Sequence, residues 1–210
     1  MTGSKNELKF YLAADKFALG IDQSRPGSRD DVWKFQILLR KVEYCRNASG
    51  GFLNKLLLKY YSSKKHKLGI KLGLDIPPDV FGPGLRINHS GNIVVNGEAR
   101  VGMWCDIHQG VNIGTNASEA DGQLVPKLGS NVWIGPGAKI FGDITVGSGT
   151  VIGANAVVGK SFSGHSTIAG IPARVVKDTG SEILNVAASE KRMNTFFRNN
   201  PEFSEYRPED

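Results

Sequence analysis

The 210-residue sequence has little cysteine, little histidine and no long hydrophobic run. Its two cysteines, Cys45 and Cys105, lack the spacing of a disulfide framework or a cysteine metal site. No apolar stretch approaches the ~20 residues that a transmembrane helix needs. Charged residues are mixed through the first seventeen positions, which argues against a signal peptide. The sequence therefore predicts a cytosolic protein.

A net charge of +6 accompanies no known nucleic-acid-binding motif, so no nucleic-acid partner is expected. Six lysines and no acid lie between Gly51 and Leu74, where Phe52, Leu53, Leu56, Leu57 and Tyr60 form an apolar stripe at helical spacing. This stripe either packs on the rest of the protein with its lysines solvated, or residues 51–71 lie on an anionic membrane surface at the inner face of the membrane.

The dominant pattern is an aliphatic residue at every sixth position from Val95 to residue 160. Its members are Val95, Val101, Ile107, Ile113, Leu128, Ile134, Ile140, Val146, Ile152 and Val158. Glycine usually follows the aliphatic residue, and the fifth position of each hexad is small or aliphatic. A period of six fits neither a helix nor an alternating strand, and it is typical of a parallel β-helix with three hexads per triangular coil.

The hexad frame is broken between Ile113 and Leu128, which predicts an extruded loop within residues 115–127. We expect three regions: an α-helical region over 1–72, the mainly β solenoid over 73–177, and a C-terminal helix and tail over 178–210. The helical region contains a short helix around Phe10, a second that Asp30 or Asp31 caps, and the lysine-rich third. The C-terminal helix is predicted over Ser181–Asn199, with the last ten residues frayed.

Two of the four histidines, His89 and His108, stand nineteen residues apart within the repeats. Since one coil takes eighteen residues, they are expected in neighbouring coils near one corner. The frame puts His89 at an aliphatic position, where imidazole would be a poor core filler. It puts His108 beside an aliphatic residue, pointing outward or toward a subunit boundary. His66 and His165 are interpreted as surface and turn residues.

The run from Asp75-Ile-Pro-Pro through Ile87-Asn-His89-Ser-Gly to Val-Val-Asn-Gly-Glu-Ala resembles serine acetyltransferases among the hexapeptide-repeat acyltransferases. Ile134-Gly-Pro-Gly-Ala-Lys-Ile and Ala169-Gly-Ile-Pro-Ala-Arg also match, so the likeness covers about residues 75–177. The resemblance implies a left-handed coil, a homotrimer with active sites between subunits, and acetyl-CoA as the donor. It also implies His89 as the general base, with Asp75 orienting it.

The same resemblance implies the residues that hold the cofactor. Those expected along the pantetheine arm or at the CoA phosphates are Gly114, Gly135, Gly137, Ala138, Ala154, Lys160, Arg174 and Lys177. The last three are the cations that would meet the phosphates.

The acceptor prediction depends on departures from the family pattern. Asn88 replaces the acidic residue that precedes the catalytic histidine, and Leu124 with Val125 replaces an Arg-His pair of the loop. An amino acid would lose its charged partners there, which favours a sugar hydroxyl. Its neutral polar partners would be Asn88, Ser90, His108, Gln109 and Asn116. The stretches Gly-Leu-Arg-Ile-Asn-His-Ser-Gly and Ile-His-Gln-Gly-Val-Asn-Ile-Gly resemble the serine-acetyltransferase-like enzymes of bacterial capsule, exopolysaccharide and lipopolysaccharide clusters. That resemblance implies O-acetylation of a sugar in bacterial surface polysaccharide.

Three alternatives stay open. The first is serine O-acetylation in cysteine biosynthesis, and the second is a non-catalytic solenoid adaptor. The third is a γ-class carbonic anhydrase, which requires three zinc-binding histidines, two of them four residues apart. No histidine pair has that spacing, so no metal is expected.

Overall fold

The computed structural model describes residues 2–116, 124–186 and 188–208. It begins with three helices, α1 (Lys5–Leu19), α2 (Asp31–Asn47) and α3 (Phe52–Leu72). Ser4 and Glu7 form a capping box at the start of α1, and Gly20 ends that helix in the left-handed conformation. All three helices lie where the sequence predicts them. No helix of the described residues is long and apolar enough to cross a bilayer.

Fourteen short strands follow. They are β1 Leu74–Asp75, β2 Arg86–Ile87, β3 Ile93–Val95, β4 Arg100–Val101, β5 Asp106–Ile107, β6 Asn112–Gly114, β7 Lys127–Leu128, β8 Trp133–Ile134, β9 Lys139–Phe141, β10 Thr145–Val146, β11 Val151–Ile152, β12 Val157–Val158, β13 Thr167–Ala169 and β14 Arg174–Lys177. Sheet I contains β1, β3, β6, β9 and β12, sheet II contains β4, β7 and β10, and sheet III contains β2, β5, β8, β11, β13 and β14. From β3 to β12 the chain visits the three sheets in turn.

Strands of successive coils pair in parallel, and the paired residues are one coil apart in the sequence. Ile134 pairs with Ile152 and Ile140 with Val158, each eighteen positions further on. Every aliphatic residue of the hexad frame is buried in one continuous core. The predicted three-sided parallel solenoid is therefore present. Residues 117–123 of the extruded loop lie outside the described residues, and its described flanks are β6 and β7.

The first coil departs from the predicted frame. Ile87 pairs with Ile107, twenty positions away, and both are buried. Ile93 and Val95 are also both buried, so the frame shifts by two residues within β3. The predicted core position for His89 is consequently wrong: Ile87 fills the interior, and His89 is exposed in the turn after it.

The helical layer is joined to the first coil by a buried ion network. Arg40 is fully buried, and its guanidinium contacts Asp15 at 2.8 Å and Glu43 at 3.0 Å. It also donates to the carbonyl oxygens of Phe81 and Gly82, at 2.8 and 2.7 Å. Burial by itself lowers the pKa of Arg40, but the two carboxylates together raise it above its ordinary value, so Arg40 stays charged. These hydrogen bonds satisfy carbonyl oxygens of the first coil, which has no preceding coil to donate to them.

The C-terminal segment differs from its prediction. Ser181 begins only a 3-10 turn, because its hydroxyl donates to the Asn131 carbonyl and its backbone N–H to that of Gly149. Helix α4 begins later, at Glu190, where the Ser189 side chain caps it, and ends at Asn199. The predicted helix over Ser181–Asn199 is therefore wrong in its first half.

The expected frayed tail is also wrong, because residues 201–206 form a 3-10 helix. An aromatic cluster joins this tail and α4 to α1. Phe10 stacks on Tyr206 with ring centroids 4.6 Å apart, and Phe196 lies 5.3 Å from the buried Trp104. Both ends of the chain therefore contribute to a second core.

Helix α3 does not pack as expected. Phe52 and Leu53 are 77% and 69% exposed, and Leu56, Leu57 and Tyr60 are exposed as well. Within one chain, the interpretation that this stripe packs on the solenoid is wrong. The face that does contact α2 and the solenoid carries other residues, among them Leu68, Gly69 and Leu72.

Candidate active site

The two histidines lie at one edge of the prism. The turns that lead from sheet III to sheet I, residues 88–92, 108–111, 135–138 and 153–156, are called the histidine corner. His89 and His108 stand there in neighbouring coils with ring centroids 6.4 Å apart, as the spacing predicts. His89 is exposed, whereas His108 is buried rather than outward-pointing. The two rings therefore have different environments.

Both ring nitrogens of His108 are used. Nδ1 lies 2.9 Å from the carbonyl oxygen of Ile134, which can only accept, so Nδ1 carries the proton. Nε2 then accepts from the Asn88 side-chain amide at 2.5 Å. Trp133 covers the ring at a centroid distance of 4.8 Å. Burial lowers the pKa of His108, and the nearby Asp106 carboxylate only partly offsets it. His108 is thus held neutral with no free lone pair, and His89 is the exposed imidazole.

A charged pair that the sequence analysis missed lies beside these histidines. Asp106 is fully buried, and its Oδ2 contacts the guanidinium of Arg86 at 2.9 Å. Its Oδ1 lies 3.9 Å from Nδ1 of His108. The Arg86 side chain remains 27% exposed, so part of it is accessible at the surface. Arg86 lies beside Asp106 because β2 and β5 pair Ile87 with Ile107. The hexad frame counted back from Val95 places residue 89 at the interior position instead of Ile87, so it does not predict this pairing.

Asp75 is not joined to His89 as expected. It lies exposed in β1 beside Val94 of sheet I. Among the described residues no hydrogen bond or ion pair connects it to the imidazole. The Asp75 carboxylate instead acts on Lys65 of α3, whose pKa burial lowers and Asp75 raises in part. The orienting role of Asp75 therefore stays a prediction.

The residues expected along the pantetheine arm differ in their exposure. A Cβ on Gly135 would lie 2.8 Å from both the Ala154 nitrogen and the Ile152 oxygen, so only glycine fits here. This stretch of backbone is therefore flat, with no side chain projecting from Gly135. Ala154 is exposed beside it. Ala138 is fully buried at the fifth hexad position, and its N–H donates to the Gly135 carbonyl. Its side chain packs in the core, and the expected contact of its corner backbone with the cofactor stays a prediction.

The three predicted phosphate-binding cations are exposed. Lys160 lies 5.4 Å from the ring of Phe162, and Arg174 and Lys177 stand at the two ends of β14. No ion pair holds these cations within the described part of the chain. Their charges are available to an anionic ligand.

The predicted acceptor residues fall at two different corners. Gln109 is exposed at the histidine corner, where a Cβ on Gly91 would lie 3.7 Å from its side chain. Asn116 follows Gly114 at the end of sheet I, in the corner that leads to sheet II and also carries Lys160. Leu124 is half-buried and Val125 is buried. In one chain, therefore, Asn116 and Gly114 are separated from His89 by sheet I.

Comparisons with known proteins agree with this fold. Residues 126–160 match the family model described as bacterial transferase hexapeptide (six repeats). The chain is 39% identical over 112 residues to a serine acetyltransferase of Staphylococcus xylosus, covering 53% of this chain and 51% of that protein. It is 35% identical over 119 residues to one of Synechococcus elongatus, covering 56% and 48%. The chain spans about half the length of these curated relatives.

Solved structures extend the likeness to the helical layer. The serine acetyltransferase of Brucella abortus superposes with a TM-score of 0.66 at 28% identity, over 84% of this chain and 72% of that one. The same enzyme in complex with coenzyme A gives 0.65 at 27% identity, over 84% and 70%. The expected hexapeptide-repeat transferase relationship is confirmed at this level.

These relatives contradict the polysaccharide prediction, since they are named serine acetyltransferases. That prediction counted the charges lost at Asn88, Leu124 and Val125. It did not include Arg86 and Asp106, which put one cation and one anion beside the histidines. The polysaccharide acceptor was therefore the wrong inference from those substitutions.

Proposed function

We propose that this protein is an acetyl-CoA-dependent O-acetyltransferase whose acceptor is the hydroxyl group of serine. The observation that carries the proposal is the unequal pair of histidines, with His108 locked neutral and His89 exposed. An exposed imidazole can reach the hydroxyl group of an acceptor that arrives from solvent and take its proton as a general base. The named relatives support serine as the acceptor.

The proposed reaction needs one base and no enzyme nucleophile. His89 removes the proton from the serine Oγ as that oxygen attacks the thioester carbonyl carbon. The tetrahedral intermediate collapses, the carbon–sulfur bond breaks, and the proton on His89 passes to the departing CoA sulfur. General base catalysis of this kind contributes roughly 10²–10⁴-fold.

Serine is recognised through a polar group of the histidine corner and two charged groups of the adjacent strands β2 and β5. The Arg86 guanidinium is the partner for the serine carboxylate, because a planar fork suits a carboxylate. His108 takes an N–H of the Asn88 amide, which leaves the Asn88 Oδ1 to accept from the serine ammonium. The Asp106 carboxylate adds negative potential behind that oxygen.

Acetyl-CoA supplies the activated acetyl group, and its arm follows the flat backbone at Gly135 and Ala154. Lys160, Arg174 and Lys177 neutralise its phosphates. Because Gly114, Asn116 and Lys160 lie at a different corner from His89, a complete site requires a second copy. A homotrimer of left-handed coils joins unlike corners in closed three-fold symmetry. Val175 and Val176, exposed on β14, suit such a contact.

The test is thiol release from acetyl-CoA in the presence of L-serine. His89→Ala should lower kcat at least a hundredfold without changing CoA affinity, while the matched variant His165→Ala keeps full activity. Arg86→Gln should raise KM for L-serine but not for L-serinamide, which has no carboxylate. A folded, CoA-binding protein without serine-dependent thiol release would contradict the proposal.

A further inference from the structure

One face of α3 is open to solvent along the whole helix. In its first half this face carries Phe52, Leu53, Leu56, Leu57 and Tyr60, all exposed. Positions spaced by four and by seven or eight residues lie on one side of a helix, so these side chains form a continuous stripe. We call it the apolar stripe. Exposed large apolar side chains in a cluster mark a surface that contacts something apolar.

The same face changes character in the second half of α3. There Lys64, Lys67 and Lys71 border a groove between α3 and α2, and Lys34 borders it from α2. The groove has a volume of about 520 Å³ and an apolar floor. Its apolar lining consists of Pro26, Ile37, Leu38 and Leu68. We call it the lysine groove.

The positive charge of this face is only partly neutralised. Asp31 contacts Lys71 at 2.6 Å and Lys34 at 3.0 Å, and these two ion pairs hold the end of the groove. Neither Lys64 nor Lys67 has a carboxylate partner within the described ranges, and Lys64 lies only against the ring of Tyr60. No acidic residue occurs between Gly51 and Leu74.

We propose that α3 docks on the surface of an anionic lipid bilayer. The apolar stripe enters the boundary between headgroups and acyl chains, where an amphipathic helix lies in the plane of the membrane. Lys64 and Lys67 meet lipid phosphates, and the lysine groove receives part of an acyl chain between its cations. Basic residues beside an apolar face are attracted to the negative surface potential of such a membrane.

A second copy of the same face fits less well. Two such faces in contact would bring lysines against lysines with no acid on either helix to neutralise them. A nucleic acid would satisfy the lysines but leave the exposed Phe52 and Leu53 without an apolar partner. A lipid surface supplies both apolar volume and negative charge.

The experiment is flotation of the full chain with vesicles of phosphatidylcholine alone or with three parts in ten phosphatidylglycerol. We expect binding to the anionic vesicles only, weakening as salt increases. Lys64→Glu/Lys67→Glu should reduce it at least tenfold, and Phe52→Ser/Leu53→Ser should reduce it several-fold. The control Lys5→Glu/Lys9→Glu makes the same charge change on exposed positions of α1 and should keep most of the binding.

Thermal unfolding and helical circular dichroism of each variant establish that it is folded. The proposal is overturned if the unaltered protein stays with neither vesicle, or if the α1 control loses as much binding as the α3 variant. It is also overturned if Phe52→Ser/Leu53→Ser lowers the oligomeric mass in sedimentation, since the stripe would then be a contact between copies. An acidic peptide that binds α3 while anionic vesicles do not would equally contradict it.

Discussion

The solenoid and the helical layer are stabilised in different ways. Inside the solenoid, aliphatic side chains at equivalent positions of successive coils stack on one another, as Ile134 does on Ile152. The helical layer is held by contacts that occur once, chiefly Arg40 with its two carboxylates and the aromatic cluster around Phe196. A repeat therefore distributes its stability over many similar contacts, whereas the junction concentrates it in a few.

The largest effect is expected at the junction. Arg40→Ala removes the cation between Asp15 and Glu43 and leaves two buried carboxylates with backbone hydrogen bonds but without a cationic partner. Breaking a buried pair in this way costs about 3–5 kcal/mol of the free energy of unfolding. Urea denaturation followed by tryptophan fluorescence measures it.

The matched control is Arg46→Ala, because the Arg46 side chain is half-exposed and its pair with Asp79 spans 3.6 Å. A surface pair of this kind contributes less than about 1 kcal/mol. Equal losses for the two variants would show that the buried network does not anchor the helical layer.

A smaller effect, repeated from coil to coil, is expected in the solenoid. Ile134→Val, Ile140→Val and Ile152→Val each remove one methylene from a fully buried position. Each should lower the free energy of unfolding by about 0.5–1.5 kcal/mol. Denaturation of the three proteins under one condition tests this.

The informative comparison is among the losses in the free energy of unfolding of these three variants. If the coils are equivalent, the three losses should lie within about 0.5 kcal/mol of one another. One variant that loses several times more than the other two would show that the interior is not uniform.

The smallest effect is a pH dependence at the histidine corner. The pKa of His108 in the folded protein lies below its ordinary value of 6.5, so the unfolded chain binds this proton first as pH falls. Stability from this group is complete above about pH 6.5 and declines as pH falls toward the folded pKa. One proton changes the free energy of unfolding by at most about 1.4 kcal/mol per pH unit.

Denaturation between pH 5 and 7 checks it against two variants. His108→Gln should flatten the decline, whereas His66→Gln, at an exposed position of α3, should leave it unchanged. A decline that persists in His108→Gln would assign the proton to another group.

The contrast between the two regions also explains what the sequence could predict. The hexad repeat predicted the solenoid, its sheet register and the proximity of His89 and His108, because every coil repeats the same packing rule. It failed in the first coil, where the frame shifts by two residues and Ile87 takes the interior position.

Contacts that occur once have no periodic signal. Arg86 and Asp106 are brought together only by the register of β2 and β5. The Ser181 hydroxyl donates to the Asn131 carbonyl oxygen, so it does not cap a helix. The acceptor prediction failed for the same reason, since it compared neighbours along the chain rather than neighbours in space.

The stacking of Phe10 on Tyr206 has a consequence for the protein's synthesis. Helix α1 leaves the ribosome early, but its aromatic partners in α4 and residues 201–206 are made roughly 190 residues later. At 5–20 residues per second, the interval is roughly 10–40 s. Until those residues emerge, Phe10 has no cover from them, and neither does Trp104 once it is made, so the nascent chain presents an aromatic surface to chaperones.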